Sequence, residues 1–158
     1  MKHIQADLNS KPNDFHVAIV VSLFNEEVTK ELLDGAVKRL IELGVAAQNI
    51  LVLEVPGAVE IPLALQRVLQ AHKFDVAIAL GAVIRGETSH YDYVCQLVSN
   101  GVQKISLELD IPIIFGVLTT ENLAQAFDRL GGAHGHKGKD AADAAISILD
   151  VFAKIEQR

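Results

Sequence analysis

Phe24, Glu60, His90, Arg129 and Lys137 are the residues whose types and settings offer chemistry. His90 stands in "RGETSHYDY" (Arg85 to Tyr93), where Gly86 is expected to free the backbone for a tight turn and Thr88 or Ser89 to cap the following helix. Unpaired amides at a helix start, together with the positive end of the helix dipole, form a seat for an anion such as phosphate. The same positive potential favours neutral imidazole at His90, which can then exchange protons near neutral pH without a metal. A capped helix start carrying a surface histidine accounts for the same letters, so the motif needs its neighbours before it means function.

Those neighbours exist. In "VPGAVEIP" (Val55 to Pro62), a Pro-Gly turn leads to Glu60 at a helix start, with Pro62 tolerated in the first turns. Glu60 either complements the helix dipole or accepts hydrogen bonds from a polyhydroxy ligand. "LFN" sets Phe24 just beyond a strand, where its ring either joins the core or covers a flat heterocycle. "DRLGGAHGHKGKD" holds Arg129 and Lys137, anion contacts or merely solvated cations. It is no P-loop, because Lys139 is followed by Asp140 and the upstream glycine is missing. His134 and His136 lack a cysteine partner and ligand spacing, so no metal is expected. The sole cysteine, Cys95, falls in an apolar helical pattern and reads as a buried thiol.

These corners must be held by regular elements. "FHVAIVV" (Phe15 to Val21), "NILVLEV" (Asn49 to Val55), "FDVAIAL" (Phe74 to Leu80) and "PIIFGVL" (Pro112 to Leu118) are short β-branched runs, as in parallel strands buried on both faces. Between them, helical stripes run from Glu26 to Gly44, about Val59 to His72, Ser89 to Leu109, Glu121 to Leu130, and about Gly138 to the end. This alternation predicts an α/β fold, a three-layer α/β/α sandwich on a four-stranded parallel sheet, because parallel neighbours need right-handed crossovers. Residues 1–158 read as one domain, with 1–13 a loose N-terminal arm. Ligands of open parallel sheets bind beyond the carboxyl ends of the strands. The corners "SLFNEE", "PGAVEIP", "GAVIRGETSH" and "TTEN" all fall on that edge.

Composition narrows the partners. With 14 Lys and Arg against 20 Asp and Glu, a formal charge of −6 gives no general attraction to nucleic acid or anionic lipid. Any anionic ligand must be caught locally. No apolar run reaches the roughly 18 residues of a membrane span, and the first residues show no leader, so a soluble cytoplasmic protein is expected. A ten-residue helix after the fourth strand would carry Arg129 about 15 Å from the carboxyl edge, at 1.5 Å per residue. Arg129 should therefore serve a neighbour's site in an oligomer.

Taken in order, "FN" at Phe24, "VPGAVEIP", "GAVIRGETSHYDYV", "PIIFGVLTTEN", "QAFDRLGG" and "HKGKDAA" resemble the lumazine synthase family over nearly the whole chain, from about Val17. The resemblance implies a flavodoxin-like sheet and a transferase of riboflavin biosynthesis. Its reaction condenses 5-amino-6-(D-ribitylamino)uracil with 3,4-dihydroxy-2-butanone 4-phosphate and releases phosphate and water, with no cofactor. By resemblance, Phe24 stacks on the pyrimidine, Ala58, Val59 and Glu60 hold the ribityl-bearing substrate, and Ala82, Val83 and Ile84 meet the pyrimidine edge. Glu87 and Thr88 offer amides to phosphate, and His90 moves protons. Phe115, Arg129 and Lys137 come from the adjacent subunit.

This chain departs from the family in having Leu23 where Arg often precedes Phe-Asn, Tyr91 where Phe is common, and "GGAHGHKG" for the more usual "GTKAGNKG". The short form of that last loop implies pentamers assembled into a sixty-subunit icosahedral shell. Riboflavin synthase is a further partner that the resemblance implies. The rival readings are a non-catalytic lumazine- or flavin-binding protein of the same fold, an FMN module, and a purely structural shell subunit. Retention of both His90 and Arg129 favours the enzyme over the first, and "SLFNEE" lacks the phosphate loop of the second. A structural subunit would not need the charged corner residues.

Overall fold

The β-branched runs form one parallel sheet in the computed structural model, which describes residues 1–8 and 14–156. Its strands are β1 (Val17–Ser22), β2 (Ile50–Val55), β3 (Val76–Ile84) and β4 (Ile113–Thr120), in the spatial order β2-β1-β3-β4. Val17 is in register with both Ile50 and Val76, and Ala77 with Ile113. The helices are α1 (Glu26–Glu42), α2 (Ile61–Ala71), α3 (His90–Leu109), α4 (Leu123–Asp128) and α5 (Lys137–Glu156).

Alternation along β1 sorts the two faces. Val17, Ile19 and Val21 pack with Leu32 and Leu40 of α1 and Ala142 and Ile146 of α5. Ala18 and Val20 pack on the other side with Leu65 and Val68 of α2 and Val98 and Val102 of α3. Period-two side chains thus build two cores separated by one sheet, the three-layer flavodoxin-like sandwich. Its strand order reverses between β1 and β3, and a crevice opens at such a switch point beyond the carboxyl ends.

The two-sided burial expected of every strand holds for β1, which is buried throughout, and for all of β3 except its half-buried last residue, Ile84. It fails for β2, where Leu51 and Val52 are 39% and 37% exposed, because the topology leaves β2 at an edge. β4, at the other edge, is also partly open. β3 runs four residues past the expected Leu80 to Ile84, since pairing with β4 continues as far as Ile84 with Thr120.

The fourth helix is the main local difference. It spans only Leu123–Asp128, not Glu121 to Leu130. Asn122 caps it by accepting the Gln125 amide at 2.9 Å, which fixes the start. At the far end Asp128 accepts the Ala133 amide at 3.0 Å, and Gly131 takes φ 112°, so the chain turns into a hairpin of β5 (Leu130–Gly132) and β6 (Gly135–His136). A six-residue helix rises only about 9 Å. That is less than the rise on which the expected placement of Arg129 rested.

Part of the expected arm, residues 9–13, lies outside the described residues. Before it, the Asp7 amide donates to Asp150 at 2.8 Å and Lys154 Nζ donates to the Gln5 carbonyl at 2.9 Å, which lays this stretch against α5. Among the described residues no helix is long and apolar enough to cross a membrane.

Candidate active site

A cleft of about 350 Å3 opens where the turns after β1, β2 and β3 meet. Its walls include Phe24, Ala58, Val59, Glu60, Ala82, Val83, Ile84, Thr88 and His90, all of them singled out from sequence. Gly57, Gly86, Tyr91 and Val94 complete the lining, and sequence reasoning had not assigned them to a ligand. The period-3.6 pattern of α3 could have suggested Val94, four residues beyond His90 on the same face, and through it Tyr91, three residues before Val94.

Each turn has a local reason. Phe24 is 71% exposed, so its ring is no core residue; the Phe24 amide donates to the Pro56 carbonyl at 3.1 Å and ties the first turn to the second. Asn25 follows in the left-handed region, φ 61°. A tight 3-10 turn, Ala58–Glu60, delivers Glu60 to the start of α2, with Pro62 in its first turn. A β-carbon on Gly57 would stand 3.0 Å from Glu60 Oε2, a close contact that a small shift of the carboxylate would relieve.

At the third turn Thr88 Oγ1 accepts the His90 amide at 3.3 Å, while Ser89, in the cap position, makes no side-chain bond. Thr88 is thus the hydroxyl that serves this helix start. Gly86 has a different role from the one expected. Its backbone is not left-handed and a β-carbon there would meet nothing within 4 Å, so it supplies open space at the cleft wall rather than a strained turn.

Four of the residues named from sequence do not line the cleft. Glu87 is exposed beside it. Phe115, 43% exposed on β4, and Lys137 share a second depression with Asp140, which Lys137 contacts at 2.8 Å. Arg129 Nη1 donates to the Gln125 carbonyl at 3.4 Å and to Asp128 Oδ2 at 3.1 Å, beside His134. The Lys137 amide donates to the Arg129 carbonyl at 2.8 Å, so the two cations belong to one corner, away from their own chain's cleft.

The fourth turn, Thr119 to Asn122, likewise contributes no wall. It braces the third: Thr120 accepts the Arg85 amide at 2.9 Å and Glu121 accepts Arg85 Nε at 2.7 Å. Cys95, expected to be buried, is half-buried behind Tyr91, because it sits toward the open amino end of α3. Desolvation pushes its thiol pKa up, as it does the Tyr91 phenol, which argues against a nucleophilic thiolate. Among the described residues no three His, Cys, Asp or Glu side chains are grouped as metal ligands.

The arrangement offers a flat aromatic face, a carboxylate, strand-end backbone, a hydroxyl-capped helix start and an imidazole around one space. Such a set can bind a planar polyol-bearing molecule and an anion side by side and pass protons between them.

Comparison with known proteins bears on this set directly. Residues 14–153 match the family model described as 6,7-dimethyl-8-ribityllumazine synthase. Relatives of that name from Coxiella burnetii strains CbuG_Q212 and RSA 493 / Nine Mile phase I are each 54% identical over 144 residues, 91% of this chain and 95% of theirs. Another from Gemmatimonas aurantiaca is 49% identical over 136 residues, 86% of this chain and 83% of its own.

Proposed function

Because the chain belongs to the 6,7-dimethyl-8-ribityllumazine synthase family, we propose that the cleft at its carboxyl edge is where the lumazine is made. The enzyme is a transferase of riboflavin biosynthesis that joins 5-amino-6-(D-ribitylamino)uracil to 3,4-dihydroxy-2-butanone 4-phosphate, with loss of phosphate and water. The observation that carries the reading is the convergence of Phe24, Glu60, Thr88 and His90 on one cleft from three separate turns.

In this reading the Phe24 ring stacks on the pyrimidine while Ala82, Val83 and Ile84 meet its edge. Ala58, Val59 and Glu60 hold the ribityl chain, with the Glu60 carboxylate accepting from its hydroxyls. The phosphate sits on the amides of Glu87 and Thr88 at the start of α3, where the helix dipole favours negative charge. The primary amine attacks the ketone and a first water leaves to form the imine; phosphate is then eliminated, and the ribitylamino nitrogen closes the second ring on the remaining carbonyl carbon with loss of a second water. His90 accepts and returns the protons these steps move. Holding two small molecules in contact supplies much of the acceleration, so no covalent nucleophile is needed.

The phosphate still needs a counter-charge that this chain's own cleft lacks. We assign that task to Arg129 of a neighbouring copy, with Lys137 and Phe115 of the same copy beside the pyrimidine. Pentamers built on this sharing, assembled further into an icosahedral shell, complete the reading in a single-domain cytoplasmic protein. Riboflavin synthase is then the enzyme that takes the product. Mixing purified protein with the two substrates tests the reaction: lumazine absorbance and free phosphate should rise in equal amounts. Binding of lumazine without either signal would favour the non-catalytic rival.

A further inference from the structure

We propose that Arg85 is a positioning residue for the corner that carries His90, an inference that rests on the reaction assigned above. Arg85 follows β3 directly. Its amide extends the pairing with β4 by donating to the Thr120 carbonyl at 2.9 Å. Its side chain then joins two further elements. Nε donates to Glu121 Oε2 at 2.7 Å, while Nη1 and Nη2 donate to the two Asp92 carboxylate oxygens at 3.3 and 3.2 Å. The guanidinium carbon lies 4.1 Å from the centroid of the Tyr91 ring.

One planar cation is therefore engaged along two of its edges and on a face. Asp92 and Tyr91 belong to the first turn of α3, which begins at His90, and Tyr91 is a wall of the cleft. Holding both fixes the direction in which that turn presents the imidazole. The clamp also acts on charge. Asp92 lies in the first turn of the helix whose start is the proposed phosphate seat, and Glu121 shares the same guanidinium, so Arg85 offsets the repulsion these carboxylates exert on an anion. With its donors directed at carboxylates, Arg85 is not itself the phosphate ligand. Lysine cannot reproduce this geometry, since a point-like ammonium lacks the fork and the stacking plane.

The test uses the full chain in a Tyr93→Phe background. The sequence has two tyrosines and no tryptophan, so Tyr91 is then the sole source of tyrosine emission. Adding Arg85→Lys should lower kcat roughly 10- to 100-fold, as expected when a reacting group is misplaced by about an ångström. KM for the phosphate substrate should rise more than KM for the pyrimidine. Acrylamide quenching of Tyr91 should increase as the ring loses its cover. Wild-type kcat in Arg85→Lys, or a lower kcat with unchanged quenching, overturns the proposal. Failure of the unmodified chain to make lumazine would instead fault the assigned reaction, and the quenching comparison would still judge the clamp.

Discussion

Asn25 Nδ2 donates to the Ala82 carbonyl at 2.8 Å, binding the turn that carries Phe24 to the strand that floors the cleft. Asn25 also occupies the left-handed region at φ 61°, which asparagine tolerates better than most residues. The two contributions can be separated. Asn25→Gly keeps the backbone and loses the bond, at a cost of about 1 kcal/mol. Asn25→Ala loses both and should cost about 1–2 kcal/mol more. Urea denaturation should rank wild type above Gly and Gly above Ala, and both variants should raise KM for the pyrimidine.

Gly138 and Gly86 make a contrasting pair. A β-carbon on Gly138 would fall 2.1 Å from the Leu32 carbonyl oxygen, where α5 crosses α1 backbone to backbone. Gly138→Ala should lose about 3 kcal/mol or more, because neither helix can yield without disturbing the core. Gly86→Ala meets nothing within 4 Å and should stay within about 0.5 kcal/mol of wild type. Its methyl group would nonetheless narrow the cleft, so turnover should fall while the urea midpoint holds.

How far the sequence reaches can be judged from such positions. Alternating β-branched runs and helical stripes were enough to predict the parallel sheet, and the carboxyl-edge rule led from there to Phe24, Glu60 and His90. The length of α4 was not legible, because the stripe continues to Leu130 while Asp128 bonding to the Ala133 amide and the left-handed Gly131 turn the chain away. Arg85 was plain in "IRGETSH", yet its partners Glu121 and Asp92 belong to different elements and meet only through the β3–β4 pairing.

Asp128 should govern part of the acid limb of stability. Its hydrogen bond to His134, then the Ala133 amide, and then the charges of His134 and Arg129 hold its carboxyl below the ordinary 3.8. A carboxyl lowered on folding contributes its full stabilisation above the unfolded value and loses it as pH falls through the folded one. Asp128→Asn should thus reduce stability at neutral pH and flatten the pH dependence below about 4. Urea midpoints between pH 3 and 7 would show it; parallel curves for both proteins would contradict it.

His90 is exposed at the first turn of α3, so its removal should spare the fold. His90→Ala should lower kcat by about 10²- to 10⁴-fold, the usual range for a lost acid-base group, with thermal stability unchanged. An unaltered rate would remove its assigned role.

Sharing of the cleft between copies is the central claim, and mixed assembly tests it most directly. Chains carrying Arg129→Ala are to be unfolded and reassembled with an equal amount of chains carrying Glu60→Ala, each inactive or nearly so alone. If Glu60 of one copy works with Arg129 of the next, about one quarter of the sites in the random mixture hold both native residues, and about a quarter of wild-type turnover should return. Activity that stays at the level of the two parents would contradict a site shared between subunits.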